Sequence, residues 1–138
     1  MACQTAIVVD GVALGRKEFV AVNELDTLFA AAWSDDRPAR YGPVLQRSLT
    51  WITARADGRL VGFVNVATDG GAHAFVLDTT VHPDWRRRGI GRRLVTAAIE
   101  EARTFGVTWM HVDYEAHLDR FYRGCGFGST AAGLLHLP

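Results

Sequence analysis

The sequence predicts an α/β fold of the α+β kind, a mixed and mostly antiparallel central sheet flanked by helices. Three observations predict it. The chain has 138 residues, 49% of them hydrophobic and 22% charged, which suits one soluble domain (1–138) with a sizeable core. Its apolar residues change period, from helical before residue 34 to strand-like from about residue 51. Its second half then alternates strand, helix, strand and helix.

The elements follow in order. Residues 6–9, with Asp10-Gly11 behind them, read as a short strand and a turn. Val22, Leu25, Leu28, Phe29 and Trp33 recur at helical spacing and predict a helix over 20–33. Residues 34–43 hold Asp35, Asp36, Pro38, Gly42 and Pro43 and read as loop, with a short helix expected over 44–49. Residues 51–56 and 59–67 read as strands joined by Asp57-Gly58, a dipeptide suited to a two-residue hairpin because that turn needs positive φ. A glycine-containing loop covers 68–73, and 75–81 reads as a strand ended by His82-Pro83. Leu94, Val95, Ala98, Ile99, Ala102 and Phe105 predict an amphipathic helix stopped at Gly106. A strand is expected over 107–112, a short helix over 116–123 stopped at Gly124, and a last strand over 130–137.

Charge and cysteine usage narrow the function classes. Lys plus Arg and Asp plus Glu are 15 each, so the chain is not globally basic and no nucleic acid is expected as partner. Cys3 and Cys125 make no Cys-x-x-Cys pair, Cys3 stands near a terminus expected to fray, and neither a thiol–metal site nor a structural disulfide is indicated. His73, His82, His111, His117 and His136 lack metal-ligand spacing, so no metal is expected, and His111, alternating with apolar neighbours, reads as structural. No secretory pattern or membrane span is visible, which points to a cytoplasmic protein with no membrane partner.

Chemistry concentrates in Arg86-Arg87-Arg88-Gly89-Ile90-Gly91-Arg92-Arg93, which leaves a strand and enters a helix. Helix-opening amides lack internal partners and the helix dipole is positive there, so this is an anion site suited to a diphosphate. The two glycines would let a ligand approach the backbone closely. A Walker loop would need a Lys-Ser/Thr that is absent, and a dinucleotide fingerprint would need glycine at Leu94. A surface arginine cluster touching RNA is the bland alternative.

From about residue 51 to 127 the chain resembles the GNAT acetyltransferases. The loop matches their Arg/Gln-x-x-Gly-x-Gly/Ala signature after a strand, and Phe121-Tyr122-Arg123-Gly124-Cys125-Gly126-Phe127 resembles their late Phe-Tyr…Gly-Phe segment, at fitting spacing. The resemblance implies a GNAT-like acyl-CoA acyltransferase fold and acetyl-CoA (coenzyme A) as cosubstrate. It implies diphosphate binding at Arg87, Arg88, Gly89, Ile90, Gly91 and Arg92, with Arg86 at the edge of the loop. Thr79, Thr80 and Val81 would pair their backbone with the pantetheine arm, Thr79-Thr80 lying near the thioester where the family's strands splay apart.

The resemblance also implies an N-acetyltransferase in which Tyr122 protonates the departing thiolate; a phenol, with a pKa of ~10 against ~8.5 for a thiol, is neutral at working pH. Asp78, at a position often acidic in the family, and Asp113 and Glu115, after the next strand, are candidates for accepting the amine proton or attracting a cationic amine, with ordered water as the alternative base. Glu115 departs from the family, which commonly has Asn there to touch the pantetheine arm. Cys125 falls where the family usually has an apolar residue and reads as a small buried hydrophobe. His117, near Tyr122, is a candidate substrate contact. The acceptor, read as a small-molecule amine or exposed amino group, would meet residues 34–43, Trp33, Tyr41 and Trp51. A non-catalytic coenzyme A sensor of the same fold is a second alternative, and a homodimer remains open.

Overall fold

The computed structural model describes residues 7–33 and 40–138, so the readings that involve Cys3, Ala6 and residues 34–39 lie outside the described residues. Among the described residues six strands form one sheet in chain order: β1 (Val8–Val9), β2 (Val12–Arg16), β3 (Thr50–Ala56), β4 (Arg59–Thr68), β5 (His73–Val81) and β6 (Trp109–His111). All neighbours are antiparallel except β5 and β6, which are parallel. Four α-helices accompany them among the described residues: α1 (Val22–Trp33), α2 (Tyr41–Arg47), α3 (Ile90–Thr104) and α4 (Asp119–Gly124). This is the mixed, mostly antiparallel sheet flanked by helices that the periodicity predicts.

The turns obey their residues. Asp57 and Gly58 both take positive φ, 48° and 78°, as the β3–β4 hairpin requires, and Asp10-Gly11 does the same between β1 and β2. Strand β2 itself escaped sequence reading because Ala13 and Gly15 are weak strand formers. Its pairing with β3 imposes the extended form.

Each sheet face buries its own cluster. On one, Ile52, Ala54, Val64, Val66 and Val76 pack with Ile90, Leu94 and Ala98 of α3. On the other, Leu25, Leu28 and Phe29 of α1 and Tyr41 of α2 pack with Leu60 and Phe63. The rings of Phe29, Tyr41 and Phe63 meet pairwise at 5.1, 6.0 and 5.5 Å between centroids. Helix α3 ends on a Schellman motif: Gly106, at φ 84°, donates to the Arg103 carbonyl and Val107 to that of Ala102.

Five expectations are corrected. Helix α2 begins at Tyr41, inside the segment read as loop, because Pro43 sits in the first turn, where its missing N–H costs nothing. Phe105 caps α3 and is exposed rather than buried. Strand β6 has three residues rather than six, and the short helix over 116–123 is split into a 3-10 turn (Ala116–Leu118) and α4. Residues 130–137 form no strand, and Leu134, Leu135 and Leu137 stay exposed, since so short a β6 offers almost no ladder to extend.

Candidate active site

The loop sits where the β5 strand hands over to α3. A 3-10 turn (Pro83–Trp85) follows β5, and His82 caps it by accepting the Asp84 amide. Arg87 and Gly89 both adopt positive φ, 63° and 77°. Gly89 is the N-cap of α3 and has no side chain with which to cap it. The first helical amide to find a backbone acceptor is that of Arg93, on Gly89. The amides of Ile90, Gly91 and Arg92 therefore have no backbone partner among the described residues, at the positive end of the dipole and inside a run of arginines. Arg88 lays its guanidinium over the Trp85 ring at 4.6 Å.

The two glycines serve different ends. Gly89 supplies a left-handed conformation in open surroundings. Gly91 supplies closeness, for a Cβ there would stand 3.3 Å from the Phe121 ring and 3.7 Å from Val81. The close approach at Gly91 is thus to α4, and it ties the glycine loop to the Phe121-Tyr122 segment.

Strand β5 opens beside this loop. It pairs with β6 only over His73, Ala74 and Phe75, so among the described residues its remaining length leaves that edge free. His73 and His111 fasten the paired end, their ring nitrogens 2.7 Å apart, with Phe75 stacked on His111. On the other edge the β4–β5 register slips: Phe63 faces Thr80 but Asn65 faces Leu77, so β5 carries one extra residue. Asp78 absorbs it with a φ of 57°, a strained value for a non-glycine residue.

The bulge sends three consecutive side chains to three partners. Asp78 accepts a hydrogen bond from Tyr41 Oη at 2.9 Å. Thr80, nearly fully buried, accepts from Trp33 Nε1 at 2.8 Å and donates to the Asp78 carbonyl. Thr79 accepts from Tyr122 Oη at 3.3 Å. Burial pushes the Asp78 carboxyl above the usual carboxylate range, and the Tyr41 contact pulls the other way. Burial, and then the Asp78 charge, push the Tyr41 phenol far up. Tyr122 is also raised, by burial first, so it holds its proton at neutral pH.

The sequence-predicted residues are therefore only partly gathered. Asp78, Thr79, Thr80 and Tyr122 meet around the bulge, with Val81 leading to the loop. Glu115 does not join them; it is 84% exposed and faces His117 at 3.4 Å. Cys125 is half-buried, and burial raises its thiol. Sequence reading passed over Asn65, which is 1% exposed and whose Oδ1 has no hydrogen-bond partner among the described residues. A lone amide in the apolar run of β4 was its available signal. It also passed over Tyr114, whose ring stacks on Tyr122 and which lines a cavity of about 530 Å³ bounded by β6 and the tail.

With this geometry in hand, comparison with known proteins is decisive. The Acetyltransferase (GNAT) family model matches residues 20–127. The chain belongs to the GNAT family of acetyltransferases. A GNAT acetyltransferase from Streptococcus pneumoniae superposes with a TM-score of 0.76 at 22% identity, covering 92% of this chain and 98% of that one. The chloroplastic GCN5-related N-acetyltransferase 1 of Arabidopsis thaliana is 28% identical over 85% of this chain and 61% of its own length. A mycothiol acetyltransferase from Mycolicibacterium vanbaalenii is 33% identical over 64% of this chain and 31% of its own. The chain thus spans between about a third and three fifths of the length of these two curated relatives. Among the described residues no helix is long and apolar enough to cross a membrane.

Proposed function

We propose that this GNAT protein is an acetyl-CoA-dependent N-acetyltransferase that acts on the amine of a small molecule or an exposed amino group. The observation that carries the reading is the Tyr122 phenol held against Thr79, on the free edge of β5 and next to an uncapped helix N-terminus. The donor set fits a coenzyme A thioester. The amides of Arg87, Arg88, Gly89, Ile90, Gly91 and Arg92 would take the diphosphate, with Arg86 supplying positive charge. The free edge at Thr79, Thr80 and Val81 would pair with the amide-bearing arm, Thr80 through its backbone alone because its hydroxyl is committed to Trp33 and the Asp78 carbonyl. The thioester supplies an activated acetyl group.

The chain's own groups handle the protons. Asp78 carries one carboxylate oxygen bonded to Tyr41 and another with no hydrogen bond among the described residues. That second oxygen is the proposed acceptor of the amine proton, and its raised affinity for protons suits it to the work. Tyr122 is the proposed donor to the departing thiolate, recovering its proton from solvent. Glu115, out on the surface, is proposed to attract a cationic acceptor rather than to take its proton. Curated relatives named mycothiol acetyltransferase support a small-molecule acceptor.

Thiol release from acetyl-CoA over a panel of amines tests the reading. Tyr122→Phe is expected to lower kcat on the order of 10²-fold or more while acetyl-CoA still binds. Full turnover in Tyr122→Phe removes the proton-donor role, and silence across the panel removes the activity.

A further inference from the structure

We propose that Tyr114 is a positioning residue that holds the Tyr122 phenol at Thr79. This rests on the proton-donor reading of Tyr122.

Three rings surround that phenol. Phe121 and Phe127 meet Tyr122 edge-on, at 4.9 and 5.9 Å. Both belong to the same local unit as Tyr122, α4 and the turn after it, and move with it. Tyr114 is different. It comes from the segment after β6 and stacks on Tyr122 almost face to face, at 4.8 Å and 22°.

The same residue is also tied at its far end. Tyr114 Oη donates to Asp119 Oδ1 at 2.8 Å, and Asp119 Oδ2 accepts from Arg123 Nε at 2.7 Å. Arg123 reaches on to Ser129 Oγ at 2.8 Å. One side chain therefore grips α4 twice, by its ring and by its hydroxyl. The grip matters because α4 has six residues and Tyr122 is its one buried side chain. In a helix so short, the ring and hydroxyl of Tyr114 add a second hold, beside the seat of Phe121 at Gly91, on the distance of Tyr122 from β5. Proton delivery to a leaving group is sensitive to that distance, and a misplacement of 1 Å can cost roughly 10²-fold.

The test uses the whole chain, acetyl-CoA and the best amine from the panel. Tyr114→Leu removes ring and hydroxyl together and is expected to lower kcat at least about tenfold, with KM for acetyl-CoA within about twofold of the parent. Tyr114→Phe keeps the ring and is expected to recover most of that loss. Asp119→Ala removes the tether together with the Arg123 ion pair, and the double variant Tyr114→Phe/Asp119→Ala is expected to lose no more than Asp119→Ala alone, since Tyr114→Phe breaks only a bond that Asp119→Ala has already removed. The chain has three tyrosines, so ring-labelled tyrosine gives one NMR signal each. The Tyr122 signal is expected to shift and to titrate at a different pH in Tyr114→Leu. Unchanged kcat and unchanged Tyr122 titration in Tyr114→Leu, with Tyr122→Phe inactive, overturn the positioning role alone. Should Tyr114→Leu fail to fold, additive losses in the double variant overturn it. A fully active Tyr122→Phe overturns the proton-donor reading and this inference with it.

Discussion

Asp78 is a carboxylate kept in surroundings that disfavour its charge, on a backbone that disfavours its side chain. A folded-state pKa above the unfolded one means the native protein binds that proton more tightly. The cost of the buried charge is therefore absent below the ordinary carboxylate range and grows as pH rises through the raised value. Asp78→Asn keeps an acceptor for Tyr41 and discards the charge. It is expected to raise Tm at pH 8, with a margin that narrows as pH falls toward 4, and to lower kcat roughly 10²-fold. Thermal melts across pH, paired with turnover, check both halves. The glycines separate by a similar contrast. Gly89→Ala meets strain but no neighbour, and should cost roughly 1 kcal/mol of stability. Gly91→Ala pushes on Phe121, whose ring abuts Tyr122, and should cost kcat about tenfold or more on top of any loss in Tm. Equal kcat in the two variants would show that the Gly91–Phe121 contact carries nothing to the site.

At the scale of elements, helix α1 is anchored by one acid. Glu24 accepts the Ala21 amide at 3.0 Å, half of a capping box, and takes both arms of Arg55 on β3 at 2.7 and 3.0 Å. The Arg55 hydrogen bond, with the Ala21 amide next, lowers its pKa from 4.5 to about 2. A lowered folded pKa gives stability that is present above pH 4.5 and lost as pH falls toward 2. Glu24→Gln should therefore destabilise at neutral pH by about 1 kcal/mol or less, given the pair's exposure, and the gap should close across that window. Denaturant midpoints at pH 7, 4.5 and 2.5 measure it. The elements also mark where sequence reading reached its limit. The Schellman stop at Gly106 and the hairpin at Asp57-Gly58 are local, and their residues announce them. The β5 bulge is not local, because it arises from a register set jointly by β4 and β5. The tail read as a strand on its apolar residues alone, yet a strand needs a ladder and β6 provides almost none.

For the whole molecule, the proposed ligand joins parts distant in sequence: the free edge of β5, the opening of α3 and the phenol of α4. Ligand binding to the native state alone should stabilise all of them together. Acetyl-CoA at 100 times its Kd is expected to add about 2.7 kcal/mol and raise Tm by several degrees. A melt unchanged at millimolar acetyl-CoA would count against coenzyme A as the ligand of the loop.

The sequence by itself determined the sheet-and-helix class, the arginine-flanked glycine loop at a helix start and the tyrosine segment, because these follow from periodicity, glycine chemistry and residues close together in the chain. Only the tertiary structure decided which side chains meet. It joined Asp78 to Tyr41, Thr79 to Tyr122 and Tyr114 to Tyr122, left Glu115 at the surface, and seated Phe121 against Gly91. The physical reason is register: a one-residue slip in β5 redirects three side chains, and nothing in the local sequence of β5 encodes the partner against which it slips.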